Sequence, residues 1–252
     1  MTTAATSWII FRRSMRYTLR KPAWVVFGLV QPMLYLALFG PLLNRISQAP
    51  GFDGGNTWRV FVPGLLVQQG LFSAVFVGFG ILSEIRSGTL DRMRISAAGE
   101  SGLMLGRMLR DAVVLTAQAV LLTLGALVAG LRAPVGGVLA AFVLVTVVGL
   151  AVAGLAYGLA LTVRHEEAYG QLVNALMLPA MLLSGVLLPL ALAPHWLSLL
   201  AKANPVSHVV TAERALFAGE FTGSDTLVGV AVAAALAVVA VWFAARAIRR
   251  SS

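Results

Sequence analysis

The chain has 252 residues, of which 59% are hydrophobic and 12% charged. Soluble domains run nearer to about 45–50% apolar and 25% charged, so the composition excludes an ordinary soluble protein and indicates a polytopic membrane protein. The net charge of +9 would suit a nucleic-acid ligand, but the arginines flank apolar runs and form no stripe with interleaved aromatics, so no nucleic-acid partner is expected. The absence of cysteine excludes disulfides, thiolate metal sites and thiol catalysis.

From the N terminus, residues 8–21 read as an amphipathic helix lying at the cytoplasmic membrane surface. At about 100° per residue Trp8, Phe11, Met15 and Leu19 fall on one side, and Arg13, Arg16 and Arg20 gather on another. Pro22 ends it; the plainer alternative is a basic cluster that only sets topology. Six stretches, at 24–43, 60–82, 112–131, 138–163, 172–190 and 226–245, are long enough to cross a bilayer. The first is of span length and has no small-residue cleavage site, so no cleaved signal peptide is expected. Fourteen of the nineteen Lys and Arg residues precede the first span, separate the second from the third, follow the fourth or follow the sixth. The positive-inside rule then places both termini in the cytoplasm of a multi-pass plasma-membrane protein, which requires an even number of crossings.

The loop 44–59 is external and made irregular by Pro50, Gly51, Gly54 and Gly55. Pro63-Gly64 opens the second span, where a membrane helix end tolerates it. The cytoplasmic segment 83–111 mixes Glu84, Arg86, Asp91, Arg92, Arg94, Glu100, Arg107 and Asp111 with apolar Leu90, Met93 and Ile95. Such a segment suits short helices that dock on a soluble partner, or else a solvated connection. Gly154 and Gly158, with Gly149 before them, have helix-packing spacing, for which close packing is a plainer role than a specific dimer contact. The external segment 191–225 is apolar but broken by Pro194 and Asn204-Pro205, which favours two short helices partly re-entering the outer leaflet. A seventh crossing there would put Arg246, Arg249 and Arg250 outside. The expected organisation is one all-α membrane domain: an interfacial helix at 1–23, six transmembrane helices within 24–245, and a cytoplasmic tail at 246–252.

The spans hold no convincing ionisable group, which argues against a proton-driven transporter or an intramembrane hydrolase. His165, His195 and His208 are dispersed, so no metal site is expected. A phosphate-cradling loop is excluded because Lys21 precedes Pro22 and Lys202 precedes Ala203. The acidic pair Glu166-Glu167, following Arg164-His165, reads as a solvated loop; it is all that a membrane-embedded lipid-modifying enzyme, the alternative from another class, would have to work with. Neutral polar residues do occur within spans. Gln31, Tyr35, Gln68, Gln69, Ser73 and Asn174 are candidates to line the path of a lipophilic solute, although helix–helix packing suffices for any one of them.

Two ordered motif sets carry a family resemblance. Pro63-Gly64, the run from Glu84 through Arg86, Gly88, Asp91 and Arg92 to Arg94, Gly106-Arg107 and Asp111 form the first; Pro179, Leu183-Ser184-Gly185, Pro189, Pro194, Trp196-Leu197, Asn204-Pro205 and Arg214 form the second. Together they resemble the membrane subunits of type-2 ABC exporters of the daunorubicin-resistance and nodulation-factor kind, over nearly the whole chain. The family often has a proline after the arginine-rich stretch, where this chain has Ser96-Ala97-Ala98. The resemblance implies a six-helix permease that forms a homodimer, rests on two copies of a separate ABC ATPase subunit and exports drugs or other lipophilic molecules through the lipid membrane. Polysaccharide or lipid-linked glycan export is the alternative cargo. It also implies that ATP and Mg are held by the partner, with no cofactor bound by this chain, and that the N-terminal helix and Glu84, Arg86, Gly88, Asp91, Arg92 and Arg94 couple the ATPase to the membrane helices.

Overall fold

The computed structural model describes residues 3–20, 23–45, 56–88, 100–186 and 193–251. Apolar chains in lipid must satisfy their backbone internally, and every regular element among these residues is accordingly a helix. In chain order they are α1 (Thr3–Arg20), α2 (Ala23–Arg45), α3 (Trp58–Arg86), α4 (Glu100–Val128), α5 (Val135–Val163), α6 (Glu166–Leu182), α7 (His195–Ala203), α8 (Pro205–Ala218) and α9 (Ser224–Ser251). Four are long and apolar enough to cross a membrane: α3, α4 over Gly102–Val128, α5, and α9 over Ser224–Ala247. The 23-residue α2 has an apolar stretch at Gly28–Gly40, and α6 has 17 residues.

The centre of the bundle is α3, which packs on α5 and α8 and is touched by α2, α4 and α6. Small residues bring the backbones together. Gly70 of α3 lies against Gly149 of α5, while Gly154 and Gly158 face Ala240 and Phe243 of α9. The glycine pair therefore serves packing within the chain.

Several boundaries differ from the sequence reading. Pro63 lies inside α3, which begins five residues before it. The acidic pair opens α6: Glu166 and Glu167 occupy its first turn, where the positive end of the helix dipole favours them, and so do not form a loop. That helix stops at Leu182, well short of 190, because the chain turns through Gly185 at φ 71°, a conformation glycine adopts without strain. Residues 187–190 lie outside the described residues, as do the loop prolines and glycines at 50–55 and the coupling candidates Asp91, Arg92 and Arg94. At the C terminus α9 runs to Ser251, so the expected tail continues a helix.

Candidate functional site

One end of α3 is bound into a polar knot. Pro63 interrupts the hydrogen-bond ladder early in the helix. Beside it Arg214 of α8 donates its Nε to the Val60 carbonyl (2.9 Å) and a terminal nitrogen to the Gly185 carbonyl (2.6 Å). A Cβ on Gly64 would meet the carbonyl oxygen of Val186, so α3 touches the turn after α6 backbone to backbone. Within that turn Ser184 donates to the Met181 carbonyl (2.6 Å) and accepts from the Val186 N–H (3.3 Å). Asn204 caps α8 by accepting from the Val206 N–H (3.0 Å), with Pro205 at the first helical position, and its amide donates to the Ala180 carbonyl (2.6 Å). Pro63-Gly64, Ser184-Gly185, Asn204-Pro205 and Arg214 are far apart in sequence and are one structure in space.

The other end of α3 carries charge. Glu84 pairs with Arg107 of α4, and Arg86 pairs with Glu166 of α6 at 2.8 Å. The chain then turns at Ser87 and Gly88, where Gly88 has φ 64° and, among the described residues, no neighbour within 4 Å of where a Cβ would stand. Gly106, next to Arg107, admits α1: a Cβ there would come within 2.6 Å of the Ser7 carbonyl oxygen and 2.8 Å of Ile10 Cβ. Asp111 lies one turn further along α4, with Arg110 Nε at 3.0 Å. Of the coupling candidates, the structure thus places Glu84, Arg86 and Gly88 at one helix end, and gives the two charged ones partners in the same chain. On α1, Trp8 and Phe11 stack with ring centroids 5.2 Å apart, and Arg13, Arg16 and Arg20 lie on an exposed face.

The path candidates divide. Gln68 and Gln69 are buried midway along α3, and Gln68 Oε1 and both amide atoms of Gln69 make no hydrogen bond among the described residues. Such groups in a native interior call for a physical role. Ser73 donates to Gln118 Oε1 (3.4 Å) and Gln118 to the Val25 carbonyl (3.0 Å), which links α3, α4 and α2. Gln31 donates to the Tyr35 hydroxyl (3.2 Å) on an exposed side of α2, and Asn174 is exposed on α6. Gln68 and Gln69 thus lie in the interior, while Gln31 and Asn174 lie on outward sides of α2 and α6.

A buried acid was missed. Glu213 of α8 is fully buried, and neither carboxylate oxygen makes a hydrogen bond among the described residues. Burial pushes its pKa well above the ordinary glutamate value. The two short helices expected in 191–225 are present as α7 and α8; the sequence reading singles out no acid there and leaves Arg214 with the external charges, whereas Arg214 reaches into the knot. The signal was present: Val206, Val209, Val210, Leu216 and Phe217 form a helical stripe, and Glu213 falls in its middle. Among the described residues no three of His, Cys, Asp and Glu come together as a metal site would require.

Residues 6–218 match the family model described as ABC-2 type transporter. The chain belongs to this family. It is similar to the daunorubicin resistance ABC transporter permease protein of Streptomyces coeruleorubidus, with 26% identity over 86% of this chain and 77% of that protein. It is also similar to the ycf38 transport permeases of Pyropia yezoensis (25% identity, 79% of this chain, 69% of that protein) and Porphyra purpurea (26%, with the same coverages). An ABC-2 permease is a transporter component and not an enzyme, and this one is a multi-pass membrane protein. The knot lies within the matched region, and so does the charged end of α3.

Proposed function

We propose that the chain is the permease half of an ATP-driven exporter, which works as a homodimer on two copies of a separate ATPase subunit and moves drugs or other lipophilic small molecules outward. The observation that carries this reading is the construction of α3, a 29-residue helix about 43 Å long at 1.5 Å per residue. It is fixed at the Trp58 end by the Arg214 knot and finishes at the other in the Glu84–Gly88 turn. A force applied at that turn reaches the outer part of the bundle along one continuous rod. In this reading α2 and α6 complete six spans, α7 and α8 re-enter from outside, α1 lies on the inner surface, and both termini are cytoplasmic.

The cargo route forms between two copies. Apolar residues on α2 (Val30, Leu34, Leu38) and α6 (Leu172, Leu176, Leu182) are exposed, and the same helices expose the amides of Gln31, Gln171 and Asn174. Facing one another across a twofold axis, they would make an apolar passage with sparse hydrogen-bonding groups, while Gln68 and Gln69 supply further amides when the helices move. ATP and Mg belong to the partner, since neither lysine of this chain has phosphate-loop context. The family supports the division of labour, and the relative named for daunorubicin resistance supports a drug-like cargo. The test is ATP hydrolysis by purified protein: none is expected from this chain alone, and turnover with cargo export is expected once the ATPase subunit is added. Robust hydrolysis by this chain alone, free of contaminating ATPase, contradicts the reading.

A further inference from the structure

One face of α1 is built around positive charge. Arg12, Arg13, Arg16 and Arg20 line an open cavity of about 530 Å³ together with Trp8 and Tyr17. Arg12, Arg16 and Arg20 follow one another at intervals of four, so they stack along one side of the helix. Like charges at that spacing repel, and α1 contains no acidic residue to offset them. Among the described residues, no carboxylate forms an ion pair with Arg12, Arg16 or Arg20. The opposite face is occupied, because Ser7 and Ile10 meet α4 at Gly106. The arginine face is therefore turned away from the bundle, with Trp8 58% and Tyr17 61% exposed. Trp and Tyr favour the headgroup level of a bilayer, where one edge of the ring is wet and the other apolar. Only Lys21 and Pro22 separate α1 from α2.

We propose that this face binds the phosphate headgroups of anionic membrane lipids, with the guanidinium groups on the phosphate oxygens and Trp8 and Tyr17 beside the glycerol. The inference deepens the placement of α1 on the inner surface and rests on α2 being a membrane span. Guanidinium groups suit the occupant because they bind phosphate oxygens in a bidentate fashion, and anionic lipid enriches the inner leaflet. A zwitterionic headgroup offers the same phosphate but also a cation that the arginines repel.

The experiment uses the purified full chain, stripped of lipid and titrated with phosphatidylglycerol or phosphatidylcholine under native mass spectrometry, so it needs no ATPase and its outcome is independent of the transport assay. The parent is expected to retain phosphatidylglycerol over phosphatidylcholine by roughly ten-fold, and to lose most of that preference between about 0.05 M and 0.5 M ammonium acetate, as a partly exposed charge contact does. Arg12→Gln/Arg16→Gln/Arg20→Gln should bring the two lipids to parity, while Arg12→Lys/Arg16→Lys/Arg20→Lys keeps part of the preference. Parity in the parent overturns the proposal, and so does an unchanged preference in the glutamine variant. If the glutamine variant keeps its lipid preference but no longer co-purifies with the ATPase subunit, the face is a protein interface and the lipid assignment is wrong.

Discussion

The two ends of α3 are held by different physics. At Trp58 the helix is fixed by backbone contact at Gly64 and by side chains whose hydrogen bonds end on backbone carbonyls; at Arg86 it is held by two ion pairs, Arg86–Glu166 largely open to solvent and Glu84–Arg107 partly so, followed by a turn at Gly88 with no described residue close by. Backbone carbonyls cannot move without dragging their helices, so the first end behaves as an anchor. Ion pairs exchange partners at little cost. A helix with one fixed and one exchangeable end is suited to carry a displacement made at the second.

The largest effects are expected at the anchor. Gly64→Val should abolish the folded state, since its side chain would occupy the position of the Val186 carbonyl and the backbones cannot separate without opening the knot; membrane insertion followed by a size profile in detergent checks this, and a normal profile contradicts it. Arg214→Ala should follow, losing about 2–4 kcal/mol as two carbonyls lose their donor. Arg214→Lys should recover part of that loss, because one ammonium cannot reproduce the guanidinium fork. Thermal unfolding of the two variants in the same detergent ranks them.

Glu213 sharpens the anchor further through pH. Its pKa is raised in the folded state, so its contribution is fully present below the unfolded value of 4.5 and declines as pH rises above it, by about 1.4 kcal/mol per pH unit at the steepest. Glu213→Gln should remove that decline and leave the variant more stable than the parent at neutral pH. Melting temperatures between about pH 5 and pH 8 decide, and parallel curves for parent and variant count against the assignment. The smallest effect belongs to the charged end. Replacing Glu84 with Gln should cost about 0.2–1 kcal/mol in thermal unfolding, given that Glu84 keeps 35% of its side chain exposed.

Membrane character, α5, α9 and most of α3 were legible because about 20 consecutive apolar residues admit few other readings. The knot was legible only as motif residues, since nothing in the spacing of Arg214, Gly185 and Val60 says that they meet. Glu213 was hidden for a related reason: the prolines around α7 and α8 mark two short helices, but which side of α8 is enclosed shows only once the apolar stripe around Glu213 is counted. The early end of α6 depends on Gly185 adopting a left-handed turn, which composition does not announce. Topology remains directly measurable. In this cysteine-free chain, cysteines at Arg132 and Thr222, both exposed, should react with an impermeant maleimide in intact cells, whereas a cysteine at Arg86 should react only after permeabilisation.

In the proposed function, the exchangeable end of α3 delivers the partner's work to the membrane helices. Gly88→Val meets no obstacle among the described residues but must hold a β-branched residue at φ 64°, so the turn would rearrange while the anchor stayed intact. ATP hydrolysis and cargo export, measured together in vesicles containing permease and ATPase subunit, test the claim. The variant should assemble and hydrolyse ATP while its export per ATP falls at least several-fold. Export per ATP equal to that of the parent would contradict it.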